Sequence, residues 1–205
     1  MQNQEKVWDK LSEQWNNFRN VPLPITNYFL KNYIIKDKGK IIDLGCGNCR
    51  NLIPFKTFEL YGIDFSKEML NKARLFLKKN NLKIKLKKAN LTKIPYKKEY
   101  FDYALMIASL HHLETKEKRI KTLNELHRIL KKDGLALITV WDKWQLKFLF
   151  KKKNSLISWR IKNKEYKRYY YFFNYFELKS LLKKTNFKIL EGKRYKGNIM
   201  FIVKK

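Results

Sequence analysis

Three groups of residues in this chain have types and spacing that could do chemistry. The first is the stretch from Lys40 to Arg50, KIIDLGCGNCR. Ile41, Ile42 and Leu44 read as a short buried strand, and Gly45-Cys46-Gly47 can turn tightly where a side chain would obstruct a ligand. A strand running into a glycine turn signals nucleotide binding, but a dinucleotide fingerprint needs a third glycine three positions after the second. Arg50 stands there, so a nicotinamide cofactor is disfavoured. The second group is Ser109 to Leu113, SLHHL. His111 and His112 can orient a substrate or move a proton, or one of them simply caps the helix beginning at Thr115. The third group is cationic and aromatic: Arg19, Trp141 and the run Arg168 to Phe173. Guanidinium groups can hold an anion and ring faces can stack on a base; equally, Arg19 can face solvent and Tyr169 to Phe173 can be core.

These groups need elements to place them. Val7, Trp8, Leu11, Trp15 and Phe18 recur at helical spacing, and Pro22-Leu23-Pro24 closes that helix. A second helix follows, about Ile25 to Tyr33, and Asp37-Lys38-Gly39 turns into the first strand. A short helix interrupted by Pro54 separates it from a strand ending at Asp64. Ser66 caps a helix to about Lys79. The third strand, Lys83 to Ala89, alternates charged and apolar residues. Phe101 to Ala108 is a fourth strand, Thr115 to Lys132 a helix stopped by Gly134, and Leu135 to Trp141 a fifth strand. Asn174 with Glu177 forms a capping-box signature, and the helix it opens runs to about Lys184. Two strands close the chain, Phe187 to Glu191 and Asn198 to Val203, as an antiparallel hairpin at the sheet's edge. Alternating strands and helices predict a doubly wound, mostly parallel α/β sheet of seven strands. We expect one domain over residues 1–205, with a helical cap at about 4–33 and an insert at about 142–174.

At 205 residues and 44% hydrophobic, the chain can bury one sizeable core. No leading signal segment and no membrane-spanning apolar run is read, which predicts a cytoplasmic location. Cys46 and Cys49 are the only two cysteines. No second pair stands at ligand spacing, so no metal site is expected and both read as reduced thiols. The 47 Lys and Arg against 18 Asp and Glu give a formal charge of +29. That favours a polyanionic partner such as nucleic acid, although biased composition also raises lysine content. Placement says more. Lys143 to Arg168 carries ten cations and one acid, Glu165, interleaved with Trp144, Phe148, Phe150, Trp159 and Tyr166. This insert reads as a grip on RNA phosphates, or else as an amphipathic lid or membrane-surface segment.

The glycine stretch resembles the D-x-G-x-G-x-G loop of class I S-adenosylmethionine-dependent methyltransferases, with Cys49 where that family has a third glycine. The resemblance implies that Asp43, Gly45, Cys46 and Gly47 cradle the cofactor, that Asp64 holds the ribose hydroxyls with Phe65 beside it, and that Asn90 and Leu91 lie at the adenine. Asp64 stands 21 residues after Asp43, at the offset that suits a ribose carboxylate. Asn90 takes the place of the family's acid. Ile107 and Ala108 would face the methionine part. Together, FDYALMIASLHHLETKEKRI, the LITVW ending at Trp141, WNNFRNVPLP and KRYYYFF resemble the tRNA methyltransferases that convert 5-carboxymethyluridine at the wobble position to its methyl ester, including the methyltransferase domain of AlkB-homologue tRNA enzymes. Tyr171 falls where a histidine is expected.

That resemblance implies S-adenosylmethionine as cofactor, tRNA as partner, and a small zinc-binding activator paired through the sheet edge near 83–89; Lys83, Lys85 and Lys87 fit equally with keeping that edge unpaired. The acceptor carboxylate would be held by Arg19 and Arg168. His111 and Tyr169 would orient the uridine, and His112, Trp141 and Tyr170 would contact it. The alternatives are a methyltransferase for a quinone, lipid or other small acceptor, and a catalytically silent RNA-binding subunit.

Overall fold

Apolar runs between glycine and asparagine turns become strands, and the most apolar of them lie at the centre. In the computed structural model, which describes residues 2–205, the strands β1 (Lys40–Leu44), β2 (Glu59–Asp64), β3 (Ile84–Lys88), β4 (Phe101–Ile107), β5 (Leu130–Trp141), β8 (Lys188–Tyr195) and β9 (Asn198–Lys204) form one sheet in the order β3-β2-β1-β4-β5-β9-β8. Strands β3 to β5 are parallel, and β9 runs antiparallel between β5 and β8. A separate antiparallel hairpin, β6 (Asn154–Ile161) with β7 (Lys164–Tyr171), occupies the insert. The seven-stranded, mostly parallel α/β sheet with its antiparallel terminal hairpin is thus the architecture the alternation predicts.

Helices cover both faces. The cluster around Ile42, Leu44 and Met106 is closed by α4 (Lys116–Ile129) and α5 (Tyr175–Lys184), and the cluster around Ile41 and Leu105 by α2 (Pro24–Tyr33) and α3 (Lys67–Lys79). Burial on both faces is why the central strands are apolar throughout. α1 (Gln4–Asn17) lies outside this sandwich, packed on α3 and β7. Caps set the helix starts: Ser66 Oγ accepts from Met69 N at 3.1 Å, Thr115 Oγ1 from Lys118 N at 3.2 Å, and Asn174 Oδ1 from Glu177 N at 2.8 Å. No helix among the described residues is long and apolar enough to cross a membrane.

Three local expectations are corrected. Gly134 does not stop α4, which ends at Ile129. A Cβ on Gly134 would stand 2.9 Å from the Lys131 carbonyl and 3.1 Å from that of Asp102, so the glycine lets backbones approach across a bulge between β4 and β5. The Asn174–Glu177 box is only half formed: the Glu177 carboxylate takes the Tyr171 hydroxyl and, at 3.0 Å, Lys153 instead of reaching back. The stretch with Pro54 is a 3₁₀ segment, Arg50–Phe55. In addition, about half of the insert is strand.

Candidate functional site

The parallel strands end together on one side of the sheet, and the turns leaving β1, β2 and β4 meet there. Gly45 and Gly47 have φ of +76° and +53°, the left-handed region that suits glycine, and a Cβ on Gly45 would collide with the Ser109 side chain. Gly45 N and Cys46 N both donate to the Ile63 carbonyl at 2.9 Å, which pins the turn against β2. Cys49, where a third glycine was expected, adopts φ +66° with no exposed surface. The turn keeps its shape there at a backbone cost of about 1 kcal/mol.

Two carboxylates sit under this turn. Asp64 accepts from Gly47 N at 3.0 Å and from Ser66 N at 2.9 Å. Burial pushes its pKa up to about 6, against the pull of those backbone donors. Asp43 is 1% exposed and its Oδ2 has no hydrogen-bond partner. Burial and then the nearby Asp64 charge push it up to about 7. An orphaned, buried carboxylate oxygen is costly unless a ligand supplies a donor or a positive charge.

A cavity of about 410 Å³ opens above the turn. It gathers Gly45, Cys46, Gly47, Asp64, Phe65, Asn90, Leu91, Ile107, Ala108 and His112 from the sequence-predicted site. Asn90 differs in one respect from expectation: its Oδ1 accepts from Thr92 N and Thr92 Oγ1, at 3.0 and 2.9 Å. The amide oxygen thus closes a local turn and Nδ2 is the group left for a ring nitrogen. The lining residues fit S-adenosylmethionine, with a backbone cradle that a Cβ would fill and, in Asp64, a carboxylate suited to ribose hydroxyls; Asp43 itself does not line the cavity.

The remaining predicted residues cluster next to the cavity. Arg168 is buried, donates from Nη1 to Tyr170 Oη at 2.8 Å, and has no partner at Nε. Arg19 lies on the Trp15 ring, with Cζ 3.5 Å from the centroid. Among the described residues, arginine–carboxylate pairs form at Arg128 and Arg194, but not at Arg19 or Arg168. Burial lowers the pKa of both; at Arg19 the Tyr170 hydroxyl opposes this and the Arg168 charge adds to it. Trp141 and Tyr170 stack on each other, 4.2 Å apart and 6° from parallel, in a column that continues through Phe148 and Phe172. Neither ring is among the residues that line the cavity.

Both histidines are neutral. His111 is 1% exposed, and its Nδ1 accepts from Trp141 N at 3.1 Å. Burial, with the His112 and Arg168 charges behind it, holds its pKa well below the usual imidazole range. His112 Nδ1 lies 2.9 Å from the Tyr169 carbonyl, which only accepts, so that nitrogen carries the proton and Nε2 is the free acceptor. Burial lowers His112 to about 4. The Tyr169 hydroxyl is taken by Asn154 Oδ1 at 2.7 Å and the Glu114 carbonyl at 2.8 Å, and Tyr169 is not among the residues that line the cavity.

The sequence placed α1 in a helical cap but did not say which of its residues reach the cavity. Asn3, Gln4, Glu5, Trp8 and Trp15 line the cavity. Asp9 accepts from Ser66 Oγ at 2.6 Å, and Glu5 pairs with Lys88 at 2.6 Å. Amphipathic spacing marked the tryptophans as a burying face without saying what they bury against.

A family model described as a methyltransferase domain matches residues 42–138. The tRNA (carboxymethyluridine(34)-5-O)-methyltransferase of Saccharomyces cerevisiae is 32% identical over 66% of this chain and 47% of its own length. The chain therefore spans about half of that relative. The enzyme of the same name from Schizosaccharomyces pombe is 26% identical over 98% of the chain and 95% of its own length. Among solved structures, a SAM-dependent methyltransferase from Methanosarcina mazei superposes with a TM-score of 0.74 at 21% identity, over 90% of this chain and 98% of the other. The chain carries a methyltransferase domain over residues 42–138 and is similar to S-adenosylmethionine-dependent methyltransferases, among them the tRNA carboxymethyluridine enzymes.

Proposed function

We propose that this protein is a tRNA methyltransferase that esterifies the carboxylate of 5-carboxymethyluridine at the wobble position of the anticodon. One observation carries the reading: Arg168, buried among tryptophans and a tyrosine beside the cofactor cavity, has an unpaired Nε and no acidic partner. A buried guanidinium without a counter-ion is expensive, and an acceptor carrying a carboxylate would relieve it. A quinone or an alcohol would not. The names of the two yeast relatives support the same acceptor.

The chain's own work is binding and orientation. Asp64 receives the ribose hydroxyls, Asn90 the adenine edge, and Asp43 and the glycine turn the charged methionine end. When bound, S-adenosylmethionine supplies an electrophilic sulfonium methyl. The acceptor carboxylate, with an ordinary pKa near 4, is ionised at neutral pH and needs no general base. Arg19 and Arg168 fix its direction, and the neutral histidines leave that charge balance undisturbed. His112 Nε2 can accept from the uracil, while His111 and Tyr170 hold the Trp141 column and Arg168 in place. Proximity and orientation then supply most of the acceleration.

Around this core, the basic insert 142–174 grips anticodon phosphates, with exposed Trp144 and Phe150 as stacking faces. The free β3 edge is where a small zinc-binding activator would pair. The test offers radiolabelled cofactor to bulk tRNA, followed by mild alkali. Alkali-labile label in tRNA is expected; alkali-stable label, or none in tRNA, contradicts the reading.

A further inference from the structure

Trp15 belongs to both halves of the site. Its Nε1 lies 3.7 Å from the point where a Cβ on Gly47 would stand, so the ring walls the cavity at the glycine turn. Its face carries the Arg19 guanidinium at 3.5 Å. Trp8 meets it edge-on at 5.0 Å, and Trp159, over which Arg168 lies at 4.7 Å, stands 6.1 Å away. The same turn also holds the backbone that bears Arg19. Asn48 Nδ2 donates to the Arg19 carbonyl at 2.7 Å and to Asn16 Oδ1 at 2.9 Å.

A guanidinium stacked on an indole takes its plane from the ring beneath it. With no carboxylate to fix Arg19 otherwise, any tilt of Trp15 is passed to the cation. A ligand seated on the Gly47 turn limits that tilt, because the indole edge is the wall it rests against.

We propose that Trp15 is a positioning residue that couples the cofactor cradle to the acceptor cations: filling the cradle sets the pose of Arg19 and raises affinity for the acceptor carboxylate. This rests on the reading that Arg19 and Arg168 hold that carboxylate. Linkage makes the effect reciprocal, so bound acceptor tightens the cofactor by the same factor.

The experiment uses the full chain and an RNA hairpin with a single 5-carboxymethyluridine in its loop, titrated with and without saturating S-adenosylhomocysteine. S-adenosylhomocysteine should tighten hairpin binding about 5- to 20-fold. Trp15→Leu should bring that ratio to about one, and Trp15→Phe, which keeps a face for the guanidinium, should retain most of it. A purely structural role would weaken each ligand and leave the ratio unchanged. A wild-type ratio of one, or a wild-type ratio in Trp15→Leu, overturns the proposal. If Trp15→Leu does not fold, Trp15→Met against Trp15→Phe decides, and equal ratios in those two overturn it. The same hairpin with plain uridine separates the two ideas. Equal binding of both hairpins defeats the acceptor reading and this proposal with it, whereas carboxyl-dependent binding that ignores S-adenosylhomocysteine defeats the coupling alone.

Discussion

The proposed cofactor cradle and the proposed acceptor mouth lie side by side and are built in opposite ways. The cradle is backbone and carboxylate: a turn whose shape comes from Gly45 and Gly47, tied by its N–H groups to Ile63 and Asp64, above two buried acids. The mouth is guanidinium and aromatic ring, with Arg19 on Trp15 and Arg168 against Trp159 and Tyr170. Each half is left short of the opposite charge. Asp43 has an oxygen without a donor, and Arg168 a nitrogen without an acceptor. A cationic cofactor and an anionic acceptor would complete them, which orders the two ligands without any group having to serve both.

The largest expected break between the halves is on the cradle side. Asp64→Ala removes the ribose carboxylate and also frees Gly47 N and Ser66 N. Calorimetry should find S-adenosylmethionine binding weakened about 100-fold or more. Unchanged affinity would misplace the cradle. On the mouth side, Arg168→Ala should leave cofactor affinity within about twofold and slow transfer to tRNA about 100-fold. Arg168→Lys should not restore it, since a point charge lacks the fork that holds a carboxylate. A variant that loses cofactor and transfer equally would erase the distinction.

The mildest probe is pH. Asp43 and Asp64 have folded pKa values raised to about 7 and about 6 from an ordinary 3.8, so in the free chain they keep protons that an unfolded chain would have released. Their contribution to stability therefore falls as pH rises from about 4 to about 7. A bound cation and hydroxyl donors favour the ionised carboxylates, so cofactor binding releases protons. Affinity should rise about tenfold between about pH 5.5 and about pH 7.5, then level off. Calorimetry in buffers of different ionisation enthalpy reads the proton count directly; a flat profile contradicts these environments.

The two halves also differed in how far the sequence revealed them. The cradle is contiguous: Asp43 to Gly47 sits at one strand end, Asp64 at the next, and parallel pairing of Asp43 with Gly62 sets them side by side. Alternating strands and helices imply a parallel sheet whose strand ends share one side, and the resemblance of the glycine stretch to a methyltransferase loop put the cavity positions there. The mouth is assembled from α1, β5 and the β6–β7 hairpin, which are far apart in sequence and meet only through packing. Arg168 and Tyr170 were visible as types, but not that Tyr170 would stack on Trp141, nor that Tyr169 would turn its hydroxyl to Asn154. Nothing in the spacing of Trp15 says that its indole edge lies at Gly47 while its face carries Arg19. Periodicity reports that a residue is buried and leaves open what it is buried against.

The most direct test of the central claim compares an RNA hairpin bearing 5-carboxymethyluridine with one bearing its neutral isostere, 5-carbamoylmethyluridine, each titrated against wild type and Arg168→Ala. The charged hairpin should bind wild type about tenfold or more tightly than the neutral one, with the difference largely gone in Arg168→Ala. Equal binding of the two hairpins by wild type would contradict an anion-seeking mouth.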